Sequence, residues 1–232
     1  MERSRGKNKL RKLRNKITFK IAADGSSASG KTTGGKLIAK KFRMKFLSSG
    51  ALYRFCAWKI LNNKNKYNIK FINKIAKTIK PNKLNDKRLY TPEVTQFSSI
   101  IAKKLFVRKA LMTFQNNFIK NHNLLIIEGR DIGSKILGSK ADLKLFFKCS
   151  IKAKAQRRFK EFRRSNKKIT LKQVEKALKQ RDIEDKKRRI SPLRMTKNAV
   201  IVDTSKLTIK QMEKKLVNLV KEKIKIKYGN LQ

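Results

Sequence analysis

Apolar positions change their period several times along the chain, and those changes divide it into elements. Residues 17 to 24, "ITFKIAAD", alternate Ile17, Phe19 and Ile21 with Thr18 and Lys20 before running into Ala22 and Ala23, the pattern of a strand. After Thr32, Leu37, Ile38 and Phe42 recur at helical spacing, although Gly34 and Gly35 should each weaken that helix by up to about 1 kcal/mol relative to alanine. Short apolar strands follow at 45–49, 124–129, 143–147 and 199–203, separated by helical patterns at 51–61, 92–120, 151–164, 170–187 and 208–226. Strands alternating with helices predict an α/β fold: a five-stranded parallel sheet flanked by helices on both faces. Residues 62–91 break the rhythm, being polar with brief apolar pieces and Pro81, and read as an insertion outside the main sheet.

Between the first strand and the first helix lies "GSSASGKTTGG", residues 25–35. Gly25 and Gly30 stand five apart and are followed at once by Lys31 and Thr32, which fits G-x-x-x-x-G-K-[ST]. The order strand, glycine-bounded loop, helix is the context that motif requires, so the segment reads as a phosphate loop and not as a serine-rich linker. Its backbone N–H groups can turn inward on anionic oxygens at a helix N-terminus. The candidate ATP-binding segment runs from Gly25 through Ser26, Ser27, Ala28, Ser29, Gly30, Lys31 and Thr32 to Thr33. Lys31 would reach the β- and γ-phosphates and the Thr32 hydroxyl would touch Mg²⁺.

Composition narrows the chemistry. A length of 232 residues suits one α/β domain with a small insertion, and no run of 18 apolar residues exists to span a bilayer. The opening, residues 1–16, is basic without the apolar stretch of a secretory signal and reads as a solvated tail. Two cysteines, Cys56 and Cys149, make neither a disulfide framework nor a metal site; they read as small core residues of a cytoplasmic protein. With His122 as its one histidine, set in the polar stretch "KNHN", neither a Ser-His-Asp triad nor a multi-His zinc site is expected. The net charge of +48 attracts polyanions in a salt-dependent way, so nucleic acid is expected to bind non-specifically; because lysine is spread through helices and loops alike, compositional drift is the preferred explanation of the charge.

Three further stretches carry chemistry. "SSGALYRF" (48–55) places Ser49, Tyr53 and Arg54 just after the second strand, where ligands of open α/β sheets bind; it also fits an ordinary helix start. "EGRDIG" (128–133) sets Arg130 and Asp131 at the end of the third strand, a charged pair that packing explains poorly. In "RDIEDKKRR" (181–189), Arg181, Asp185 and Arg188 share one helix face, which an ion-pair ladder also explains.

Together with "TPEV" (91–94), "SSIIAKKLFVRKAL" after it and "VDTSKLTI" near the end, these stretches resemble the bacterial cytidylate kinases in order and spacing. The resemblance covers most of the chain from about Ile17. It implies a P-loop NTPase core (17–61 and 108–232), a small CMP-binding insertion (62–107) and a helical lid at about 151–190. It also implies transfer of the γ-phosphate of ATP to CMP or dCMP, with Mg²⁺, by a monomer. By position, Ser49, Tyr53, Arg54, Ser99, Arg108, Arg130, Asp131, Asp185 and Arg188 would line the acceptor site. Ser99, Arg108 and Asp131 would face cytosine; Arg54, Asp185 and Arg188 the sugar and phosphate. Arg181, with Arg157 or Arg158, would close over the transferring phosphate. Ser48 stands where the family usually has an acid, and Tyr90 where it usually has arginine. Other readings are a P-loop kinase for UMP or AMP, and a basic nucleic-acid-binding P-loop protein.

Overall fold

The computed structural model describes residues 17–63, 67–163 and 169–229; the basic segment 1–16 lies outside them. Five strands form one sheet: β1 (Phe19–Gly25), β2 (Lys45–Ser48), β3 (Leu124–Gly129), β4 (Leu143–Lys148) and β5 (Val200–Asp203). Their spatial order is β2-β3-β1-β4-β5 and every pairing is parallel, with Ile21 opposite Ile126 on one side and Leu143 on the other. Because all strands run the same way, all their carboxyl ends meet at one edge. That edge receives the loop after Gly25, Ser48–Ser49, Gly129–Asp131, Cys149 and Thr204.

Helices α1 (Lys31–Lys41), α2 (Ser49–Leu61), α3 (Ile69–Lys77), α4 (Pro92–Ile101), α5 (Leu105–Lys120), α6 (Ile151–Arg163), α7 (Leu171–Lys187) and α8 (Ile209–Tyr228) fill the connections. One apolar cluster joins β1, β4, β5, α1 and α8 through Phe19, Ile21, Ile38, Phe147, Val202 and Leu216. On the other face Leu47, Leu52, Leu111 and Ile127 pack with Ile72, Ile75, Leu84 and Leu89, so the residues after Asn62 share the core of the sheet. The paired glycines in α1 have a packing reason. A Cβ on Gly34 would sit 2.9 Å from the Phe147 ring and one on Gly35 2.8 Å from that of Phe46, so their small size sets how closely α1 lies on the sheet.

The helix expected over 92–120 is broken. α4 ends at Ile101 and α5 starts at Leu105, with Lys104 extended between them (ψ 124°). No proline or glycine marks the break. Its cause is tertiary: the Ala102 carbonyl accepts from Nη1 of buried Arg108 at 3.1 Å, and the bend carries Arg108 to the sheet edge. Cys56 is fully buried, and burial pushes its thiol up to about 12. Cys149 departs from the expected core position, lying half-buried with Sγ 3.3 Å from Arg157 Nη1.

Candidate active site

The loop after β1 is held from both sides. Ala28 (φ 56°) and Gly30 (φ 84°) adopt left-handed backbone, which turns the chain sharply before Lys31 opens α1. Behind the loop, Thr204 Oγ1 donates to the Ser29 carbonyl at 2.9 Å. At its mouth Lys31 Nζ donates to the Ser26 carbonyl at 3.0 Å and lies 3.8 Å from Glu128 Oε2. Burial, with the nearby Arg130 cation, pushes Lys31 down to about 7. Such an ammonium is short of negative charge and gains from a phosphate placed against it.

Glu128 is the penultimate residue of β3, an otherwise apolar strand, and has no role assigned from the sequence. Its Oε1 accepts from Thr32 Oγ1 at 3.1 Å and from the Ser48 hydroxyl, while Ser48 Oγ accepts from Ala51 N at 3.2 Å and so caps α2. Burial works against the charged carboxylate, but Lys31, Ser48 and Arg130 outweigh it and hold Glu128 below the usual carboxylate range. Asp24, at the end of β1, was missed as well. Its two carboxylate oxygens accept from the backbone N–H of Ile132 (2.9 Å) and Gly133 (2.6 Å), which fixes the turn bearing Arg130 and Asp131. Burial pushes Asp24 up to about 6.

Opposite the loop stands a wall of arginines. Arg130 Nε donates to Asp185 Oδ2 at 2.7 Å; Arg188 Nη1 reaches Asp185 Oδ1 at 3.4 Å and its Nε donates to the Ser191 carbonyl. Arg108 pairs with Asp131 at 2.5 Å, both buried, and its guanidinium lies over the Tyr53 ring. Arg54 stacks on Tyr90, 5.1 Å from the ring centroid, and its Nε donates to Thr95 Oγ1 at 3.5 Å. Ser49 Oγ accepts from Gln115 Nε2, and Ser99 Oγ donates to the Thr95 carbonyl. Arg181 has a buried Nε without a hydrogen-bond partner, and burial beside Arg130 and Arg54 pushes it down to about 9.

A cleft lies between loop and wall. Its lining holds Ser27, Lys31 and Thr32 from the loop, and Ser49, Tyr53, Arg54, Ser99, Arg108, Arg130, Asp131, Asp185 and Arg188 from the expected acceptor site. From the lid it takes Arg158 and Arg181. Seven cations face three carboxylates there, a balance that suits a ligand with several negative charges. Arg157 is elsewhere: its guanidinium donates to the Thr204 carbonyl (2.6 Å) and Oγ1 (3.0 Å), bracing the back of the loop. A second hollow lies on the other side of the loop. It is lined by Ser26, Phe146, Cys149, Lys154, Asp182 and Ser205, among others.

A family described as cytidylate kinase matches residues 21–222. The chain belongs to that family. The cytidylate kinase of Thermosipho melanesiensis is 33% identical over 220 residues, 89% of this chain and 99% of its own, and that of Rickettsia rickettsii is 34% identical over 207 residues, 89% and 93%. Among solved structures, a shikimate kinase from Bacteroides thetaiotaomicron superposes with a TM-score of 0.50 at 12% identity, over 88% of this chain and 99% of the other. That likeness is one of fold alone. Membership of the cytidylate kinase family makes this chain a nucleoside monophosphate kinase.

Proposed function

We propose that the chain transfers the γ-phosphate of ATP to CMP or dCMP, releasing ADP and the matching diphosphate. The observation that carries this reading is the arginine-lined cleft opening directly onto Lys31 and the phosphate loop. A phosphate monoester has its second pKa near 6, so near neutral pH the acceptor is largely a dianion and needs little help from a base. Its oxygen attacks the γ-phosphorus in line as the bond to the β,γ-bridging oxygen breaks, and the electron pair leaves with ADP. The protein's task is to position the two nucleotides and to neutralise charge in a site without water.

Each group has a part. The loop and Lys31 hold the donor's β- and γ-phosphates. The second hollow, beyond Ser26, has room for the donor's nucleoside. Arg130 and Arg188, oriented by Asp185, bind the acceptor phosphate with planar forks. Residues 62–107 cover the acceptor's nucleoside, with Ser99, Arg108 and Asp131 on the base. Arg158 and Arg181, from the lid, meet the group in flight. A divalent ion taken in with ATP would supply charge neutralisation for the transferring phosphate. The donor set fits Mg²⁺: Thr32 Oγ1 and Glu128 would hold it through oxygen, and a hard cation of this kind needs only one or two ligands from the protein. Among the described residues no cluster of three His, Cys, Asp or Glu offers a closed metal cage.

No helix among the described residues is long and apolar enough to cross a membrane. That the enzyme is a cytoplasmic monomer is part of the proposal and rests on the family resemblance and the absence of a cysteine framework in the sequence. The test is ATP-dependent ADP release with CMP, dCMP, UMP and AMP in parallel. Strong release with CMP and dCMP and little with UMP or AMP is expected. Release with AMP alone would overturn the assignment of the base-facing residues.

A further inference from the structure

The lid touches the phosphate loop through two side chains that the transfer chemistry does not use. Lys154, on α6, is 5% exposed; its Nζ pairs with Asp182 of α7 and donates to Ser26 Oγ at 3.3 Å. Asp182 Oδ1 accepts from the backbone N–H of Ser27 at 3.4 Å. The pair therefore bridges both lid helices to the first half of the loop, at the partition between the hollow beyond Ser26 and the arginine cleft. Asp182 follows Arg181 directly on α7, so one turn of helix presents a carboxylate to the loop and a guanidinium to the cleft.

The geometry points to Lys154 and Asp182 as positioning residues that latch the lid to the phosphate loop, so that filling the loop with a donor sets the stance of Arg181 over the acceptor. The inference rests on the phosphotransfer reading above. Two features make the latch mechanical. First, α6 and α7 have an apolar cluster of their own, Ala155, Val174 and Leu178 with Ile151, Phe159 and Phe162, separate from the two clusters of the sheet. The hairpin can thus tilt as a body without opening the main core. Second, the lid is fastened to the core by polar contacts: Lys154 and Asp182 on Ser26 and Ser27, Arg157 on Thr204, and Asp185 on Arg130. Polar contacts switch partners at little cost where apolar packing would not. A donor's phosphates draw the loop's N–H groups and bring negative charge beside Asp182, which Lys154 is placed to offset. Movement of Ser26 and Ser27 then passes to α7 and to Arg181, and the two nucleotides bind with a shared coupling energy.

The test is the effect of a non-hydrolysable ATP analogue on CMP affinity, by calorimetry, in the wild type and in Lys154→Met, Asp182→Asn, the double variant and Lys154→Arg. In the wild type the analogue should tighten CMP by at least about fivefold, the lower end of ordinary coupling. In Lys154→Met and Asp182→Asn the coupling should shrink to under about twofold, while CMP affinity without the analogue stays unchanged. The double variant should be no worse than the worse single, because the two residues act as one unit. Lys154→Arg, which keeps the charge, should restore the coupling; a merely space-filling role would not show that rescue. Wild-type coupling that persists in both single variants overturns the latch, as does an equal loss of CMP affinity with and without the analogue. ADP release by the wild type, run alongside, separates the two ideas: activity without coupling sinks the latch alone, and no activity with any monophosphate sinks both.

Discussion

On the proposed phosphotransfer reading, the donor and acceptor halves of the cleft handle the same kind of charge by different means. The donor half is nearly all one segment: nine residues of loop and helix start, with backbone N–H groups as the main donors and Lys31 as the moving charge. The acceptor half is built of side chains from α2, α4, α5, the turn after β3, α6 and α7, each needing its own partner. Backbone donors come already oriented by the fold. Side-chain donors must be held, and Asp131, Asp185 and Thr95 are there to hold Arg108, Arg130 and Arg54. The donor half should therefore fail in function when altered, and the acceptor half in structure as well.

The largest expected effect tests that division. Asp131→Asn removes the charge that faces Arg108, which is 4% exposed and already has an Nε without a partner. Leaving a buried cation uncompensated costs about 3–5 kcal/mol. At roughly 2–4 °C per kcal/mol for a domain of this size, the melting temperature should fall by about 10 °C. CMP should weaken, and ATP binding should stay near wild type. A variant as stable as the wild type would show that Arg108 is held by Ala102 and Tyr53 alone.

Lys31→Met is the matching change on the donor side. Removing one preorganised donor to developing charge typically lowers kcat by about 10²- to 10³-fold. Here the melting temperature should hold or rise, because burial disfavours the Lys31 ammonium. A drop in kcat together with a drop in stability would erase the contrast between the halves.

That contrast also decides what could be read from the chain before folding. The five strands and the phosphate loop were legible because their signals are local: period, glycine spacing and a following helix. The bend between α4 and α5 was not, since it answers to Arg108 and not to any residue within it. Glu128 carried a weak signal, a lone acid near the end of an apolar strand. Lys154 carried none among the many lysines around it. The face drawn through Arg181, Asp185 and Arg188 brings all three to the cleft, yet passes over Asp182, one of whose partners, Ser27, is 155 residues away in sequence. The acids are informative in this background. Asp24, Glu128, Asp131, Asp182 and Asp185 are five of only 15, and all lie at the sheet's carboxyl edge.

A proton-linkage measurement sharpens the donor half further. Lys31 sits near 7 in the folded chain and at 10.5 when unfolded. Between those values the unfolded chain binds more protons, so this group makes stability rise with pH through that window; its penalty is fullest below 7. Phosphates brought against Lys31 push it back up, so ATP binding at pH 8 should take up close to one proton, and at pH 6 close to none. Calorimetry in buffers of different ionisation heat reads this directly. Uptake that survives in Lys31→Met would assign the proton to another group.

The smallest effect belongs to Ser48, where the two halves meet. Its oxygen accepts from Ala51 N as the cap of α2 and its hydroxyl donates to Glu128, so it serves one element of each half. Ser48→Ala should cost about 1 kcal/mol for the lost cap, or a few degrees of melting temperature. Glu128 loses a hydrogen bond that favours its charged form, so its carboxyl rises and Mg²⁺ half-saturation of the reaction should move up a few-fold. Ser48→Asp keeps a capping oxygen but sets a second carboxylate against Glu128, where two like charges favour a shared proton. It should preserve stability best at low pH and lose that benefit as pH rises, while the added carboxylate should lower the Mg²⁺ concentration needed for half-saturation. An alanine variant with wild-type Mg²⁺ dependence would confine Ser48 to the cap and leave Glu128 tuned by Lys31 and Arg130.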